Sequence, residues 1–356
     1  MKTIERVHLF VLLGLFVFSV KIQAQEWKTT NHSQVCKILT PKKTVHHCMA
    51  VMLNYDSAKR KAVFSSAQHC NLDFLSPTSE IVPGTAVICP NPKTKAPVYF
   101  EVEQINHTSF TSYHNYHYVA PTLAERVGLS SVPHRPIMNQ GFYHLRSDDV
   151  TLFTAKRVSG KYQKSYWPFQ IVVPTHSGQL GQFFEEGNRI NNETYHEESK
   201  WNRDFKFLHK NGKEYKVYLH MNHYISYRFI PQNTCYIFSN DENPDPGLNQ
   251  KYREMTSIEK ENTYLITGKD IRGTSLQNLE KASIGMIDPE GGQSQYRGDS
   301  GSALCCLNNE NPKECLLLGS SSSIEAMKNK YTFNGSFWTF IGNRYIRKIR
   351  QSISDL

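Results

Sequence analysis

Gly298-Asp299-Ser300-Gly301-Ser302-Ala303-Leu304 places a serine between glycines, a combination suited to nucleophilic chemistry. A serine hydroxyl attacks a carbonyl carbon from a tight, exposed turn, and the developing oxyanion needs backbone N–H donors aimed at it. Gly298 lets the chain approach a carbonyl closely, so the N–H groups of Gly298 and Ser300 are the expected oxyanion donors. Gly301 permits the turn that follows. Such a serine needs a base, and Ser66-Ala67-Gln68-His69-Cys70 offers His69 at the end of an apolar run. A Cys48–Cys70 bridge would fix the loop that presents it. The third requirement is a buried carboxylate that holds the imidazole tautomer. Ser147-Asp148-Asp149-Val150-Thr151-Leu152-Phe153 offers Asp148 and Asp149. Side chains alternate along a strand, so only one of the two can point inward.

The segments that carry these groups read as β-strands. Runs rich in Val, Ile, Tyr, Phe and Thr recur between turn residues, among them 62–64, 98–102, 150–153, 235–238, 303–307 and 332–340. That pattern predicts an all-β sandwich or barrel. Only 343–353 has helical spacing, with Tyr345, Ile346, Ile349 and Ile353 on one side and Arg344, Arg347, Lys348 and Arg350 on the other. The stretch 187–213 is polar and highly charged, and is expected to form a surface loop or insertion.

Lys2 and Arg6 precede an apolar run at 9–20, and Ala24 is a small residue suited to cleavage. Residues 1–24 therefore read as an export signal. The run is shorter than the roughly 20 residues of a membrane helix, so no stable membrane insertion is expected once it is removed. Roughly 330 residues remain, which suits two similar domains. Eight cysteines, an even number behind an export signal, argue for disulfides and a secreted protein, extracellular or periplasmic. Cys305 and Cys306 are adjacent, point to opposite faces of a strand and need different partners. A net charge of +9 raises the question of anionic partners. No zinc-finger spacing, basic helix or ribonucleoprotein-type aromatic motif supports nucleic acid. His114 and His117 lack a third ligand, and Gly291-Gly292 lacks the Lys-Ser/Thr of a phosphate cradle. No metal and no cofactor are expected.

Together the three segments resemble the signature blocks of the chymotrypsin/trypsin family of serine proteases, in that family's order of His, Asp and Ser. The family's histidine block reads Thr/Ser-Ala-Ala-His-Cys, with Gln68 the departure here. Its aspartate block, Asp-Ile-Ala-Leu-Leu, is matched by Asp149-Val150-Thr151-Leu152-Phe153, which selects Asp149 over Asp148. Its serine block, Gly-Asp-Ser-Gly-Gly-Pro-Leu, is matched with Ser302 and Ala303 as replacements. Cys235-Tyr236-Ile237 resembles a family strand whose cysteine pairs with the one six residues after the nucleophile, which implies Cys235–Cys306. Residues 337–340 and the following helix resemble the family's last strand and terminal helix.

The resemblance runs from about residue 45 to 352. It implies two antiparallel six-stranded β-barrels: one over 30–155 with His69 and Asp149, one over 156–340 with Ser300. A C-terminal helix at 341–356 follows. It also implies a secreted endopeptidase acting on protein or peptide substrates. Ser294, six residues before the nucleophile, would lie at the base of the primary pocket, and its lack of charge points to an apolar or aromatic preference. Proximity pairs the remaining cysteines as Cys305–Cys315 and Cys36–Cys89. Three departures stand out. Tyr296 replaces a family cysteine. The activation sequence, a basic residue followed by Ile-Val-Gly-Gly, is absent. Asp299, which the family pairs with a freed amino terminus, has no partner apparent in the sequence. The missing activation sequence and the replacements Ser302 and Ala303 support a second expectation, a non-catalytic homologue serving as a secreted binding or regulatory module.

Overall fold

The computed structural model describes residues 26–30, 32–39, 48–70, 81–94, 96–110, 148–164, 168–186, 202–208, 214–220, 224–240, 250–267, 274–288, 295, 298–325 and 334–356. The expected export signal, His114, His117 and Ser294 lie outside them. The chain opens on a short strand, β1 (Lys28–Thr30). Six strands follow: β2 (Val35–Leu39), β3 (Cys48–Asp56), β4 (Lys61–Ser66), β5 (Ala86–Pro90), β6 (Pro97–Phe110) and β7 (Asp149–Ser159). They close an antiparallel barrel in the order β2-β3-β4-β7-β6-β5, with β5 paired back on β2.

Strand alternation explains why these segments read as apolar throughout. Cys48, Ala50 and Met52 of β3 point into the barrel, against a core that includes Phe64, Phe100 and Phe153. Met49 and Val51 point the other way, into a second apolar layer shared with Phe169, Phe238, Leu317 and Ile346. Both faces of the strand are buried, so neither carries the polar half of an alternating pattern.

The remaining strands are β8 (Gln170–Val172), β9 (Phe184–Glu186), β10 (Asn202–Leu208), β11 (Glu214–His220), β12 (Tyr224–Phe229), β13 (Cys235–Asn240), β14 (Gln250–Glu254), β15 (Thr263–Thr267), β16 (Ser283–Asp288), β17 (Ala303–Leu307), β18 (Glu314–Glu325) and β19 (Asn334–Phe340). Eleven strands form one large sheet, ordered β1-β14-β13-β17-β18-β19-β16-β15-β12-β9, with β8 parallel to β18. Side chains from distant parts of this path, including Phe229, Ile237, Leu265, Ile284, Leu318 and Trp338, meet in a single core. The fold is thus mostly β, with one closed six-stranded barrel, a large sheet and a C-terminal helix, α2 (Asn343–Ser354).

Two local expectations are revised. Part of the charged stretch expected as a loop is strand: β10 pairs with β11 as a separate two-stranded unit. A short helix, α1 (Ser257–Glu261), interrupts the second half. Thr256 Oγ1 accepts from the Glu259 N–H while the Glu259 carboxylate accepts from the Thr256 N–H, so the first turn has reciprocal caps.

All eight cysteines are bridged: Cys36–Cys89, Cys48–Cys70, Cys235–Cys306 and Cys305–Cys315. The adjacent pair faces opposite sides of β17. Cys306 enters the core of the large sheet, and Cys305 enters the layer between the two halves. No helix among the described residues is long and apolar enough to cross a membrane.

Candidate active site

Ser300 lies on the turn that leads into β17. The Ser302 N–H donates to the Asp299 carbonyl at 2.8 Å, closing the turn. Gly298 and Gly301 have φ of 104° and 86°, conformations that L side chains rarely adopt. Gly301 is needed for a second reason: a Cβ there would come within 2.2 Å of the Met49 carbonyl oxygen and 2.3 Å of Ser66 Oγ. The turn is thus seated directly on strands β3 and β4. The Met49 N–H fixes it there by donating to the Ser300 carbonyl at 2.7 Å.

His69 arrives from the barrel. It occupies a single 3-10 turn, Gln68–Cys70, at the end of β4, and the Cys48–Cys70 bridge ties that turn to the start of β3. Asp149 is the first residue of β7, which pairs with β4. The neighbouring strands therefore deliver the His69 imidazole and the Asp149 carboxylate to the same edge of the barrel. The Asp149 side chain is fully buried, and that of His69 is 26% exposed.

Asp149 Oδ1 accepts from the His69 backbone N–H at 2.9 Å, and Oδ2 accepts from His69 Nδ1 at 2.7 Å. Ser322 Oγ donates to the same Oδ2 at 2.6 Å. An ionised carboxylate only accepts, so the imidazole proton belongs on Nδ1. Nε2 is then left as an acceptor, and Ser300 Oγ stands 2.8 Å from it. The three side chains form one hydrogen-bonded line across residues far apart in sequence, with the basic nitrogen facing the hydroxyl.

Asp148 faces the other way, as alternation requires. It accepts from the Tyr345 hydroxyl and from Arg344 Nη1 at 3.1 Å, and pairs with Lys281 Nζ at 2.8 Å. It anchors α2 rather than the imidazole. Cys48, His69 and Cys70 offer ligand atoms within 4.8 Å of one another. The two sulfurs are joined in a disulfide and supply no thiolate to a metal.

The structure adds residues that the sequence pattern did not single out. Ser322 belongs to a run of serines, 320–323, at the end of the apolar part of β18. Gln295 is fully buried. Its amide nitrogen donates to Ser302 Oγ at 3.1 Å, and its oxygen accepts from Ser321 Oγ at 2.9 Å. The amide thereby links the segments before and after Ser300 to β18. A serine run on an otherwise apolar strand is the one sequence feature that could have marked this polar seam.

No protein-family model matches the chain, and no curated protein matches it.

Proposed function

We propose that the protein is a secreted serine endopeptidase that cleaves peptide bonds through an acyl-enzyme on Ser300. The observation that carries this reading is the unbroken line from Asp149 Oδ2 through His69 to Ser300 Oγ, with contacts of 2.7 and 2.8 Å. His69 Nε2 takes the hydroxyl proton as Ser300 Oγ bonds to the substrate carbonyl carbon. The tetrahedral intermediate collapses, the C–N bond breaks, and the same proton passes to the leaving amine. A water molecule then attacks the acyl-enzyme, with His69 again as base, and frees the acid and Ser300. Asp149 stays ionised and stabilises the imidazolium. The Gly298 and Ser300 amides are the oxyanion donors in this reading.

The resemblance to the chymotrypsin/trypsin family supports the same assignment. In this reading the six consecutive neighbours β13-β17-β18-β19-β16-β15 curl around their shared core as a second barrel, and the cleft between the halves takes the substrate. Ser294 belongs to the primary pocket, which favours an apolar or aromatic side chain. The four disulfides support export to an oxidising compartment.

The test is covalent labelling of the purified protein with a fluorophosphonate probe, followed by peptide mapping. The expected result is one label per chain on Ser300, absent in Ser300→Ala, together with cleavage of a peptide library at defined positions. A folded protein with its disulfides intact that takes no label and cuts no peptide contradicts the proposal. That outcome favours a secreted binding module built on the same frame.

A further inference from the structure

Between Gly298 and the nucleophile lies Asp299, whose side chain is entirely buried. A buried carboxylate is costly unless donors surround it. Among the described residues, two come from the far end of β13. Ser239 Oγ lies 3.0 Å from Asp299 Oδ1, and the Asn240 N–H donates to the same oxygen at 2.6 Å. Ser239 Oγ also lies 3.2 Å from the Asn240 carbonyl. The hydroxyl has one proton, and the shorter, charge-assisted contact takes it.

The register explains how these donors come to face Asp299. Strand β13 pairs with β17 at Cys235↔Cys306, Tyr236↔Cys305 and Ile237↔Leu304. Strand β17 begins at Ala303, so Ser239 and Asn240 extend past its start and meet the nucleophile turn instead. Their other edge is held by β14, through Ser239↔Lys251 and Asn240↔Gln250. The Cys235–Cys306 bridge fixes the opposite end of β13 to β17. The donors therefore sit on a strand braced on both sides.

Resting on the hydrolase reading above, we propose that Ser239 is a positioning residue: with the Asn240 amide it clamps Asp299 and so holds the oxyanion donors on either side of it. The clamp consists of a side chain and an amide already in place in the folded chain. It belongs to the ground state of the turn and does not wait for substrate.

Two readouts test it. In Ser239→Ala, the rate of fluorophosphonate labelling and kcat on a peptide ester fall by about ten- to a hundredfold, the range for a hydrogen bond to a charged group, while KM stays within about twofold. Ser239→Thr, which keeps the hydroxyl, restores both. Hydrogen exchange over residues 295–304 quickens in Ser239→Ala, while exchange over 61–66 in the barrel is unchanged. Wild-type labelling, kcat and exchange in Ser239→Ala overturn the clamp, as does a uniform rise in exchange across the protein. If the wild-type protein takes no label, the hydrolase reading fails separately, and local exchange alone decides the clamp.

Discussion

Asp149 receives three donors in a fully buried position, and each fixes a different freedom of the His69–Asp149 pair. The His69 N–H sets the main chain, Nδ1 sets the tautomer, and Ser322 holds the carboxylate in its plane. Asp149→Asn puts an amide where an acceptor was, which turns Nε2 into the protonated nitrogen. On the proposed mechanism kcat falls by about 10⁴, measured on a peptide ester with folding checked by circular dichroism. Ser322→Ala keeps the tautomer and loses one charge-assisted bond, so the expected loss is about tenfold. His69 and Ser300 stand in short local patterns that mark them as candidates, whereas Asp148 and Asp149 share one pattern that leaves the choice to strand alternation. Ser322 was not legible, since a serine in a strand has no local mark of the partner that the fold brings to it.

At the scale of elements, the barrel interior explains what keeps the base and carboxylate together. Phe64 of β4 and Phe153 of β7 stack with centroids 5.4 Å apart, and Phe100 meets Phe64 edge-on. These rings hold the two strands whose ends carry His69 and Asp149. Phe153→Ala should cost about 3–5 kcal/mol, the range for a large aromatic removed from a packed core, read as a lower midpoint in urea. Stretches with both faces buried, such as 150–153 of β7 and most of β17, were legible as apolar runs. Strand β14, Gln-Lys-Tyr-Arg-Glu, was not, because it is mostly polar and its Arg253 is buried through a tertiary ion pair. Arg253 forms a buried ion pair with Glu259 of α1, and its guanidinium lies 5.0 Å from the centre of the Trp27 ring. The capping box of α1 was present in the sequence as Thr256 and Glu259, but the helix is too short to show a period.

For the molecule as a whole, the amino-terminal segment ties the halves together. Strand β1 extends the large sheet by pairing with β14, and the chain then crosses to β2 of the barrel. His32 stands at the crossing, buried, with Nε2 bonded to the Phe169 carbonyl and Nδ1 accepting from the Gln34 N–H. Burial lowers its pKa to about 4, only partly offset by the Phe169 carbonyl. A pKa depressed below the unfolded value of about 6.5 means that the unfolded chain binds the proton first as pH falls. The neutral histidine therefore favours folding fully above about pH 6.5, and that contribution drains away toward pH 4. The stability gap between wild type and His32→Gln should shrink by roughly 3 kcal/mol from pH 7 to pH 4, measured by denaturant unfolding at each pH. A gap independent of pH would show that His32 does not report the crossing. The barrel was legible at this scale, as was the terminal helix. The sheet order was not, since β1 and β14 join it through pairings that no local pattern encodes.

The proposed chemistry requires Ser300 to become acylated through His69. Rapid mixing of the protein with an activated peptide ester tests this directly. The expected result is a burst of leaving group close to one equivalent per chain, followed by slower turnover, with no burst in Ser300→Ala or His69→Ala. A linear release with no burst, identical in wild type and Ser300→Ala, would contradict it.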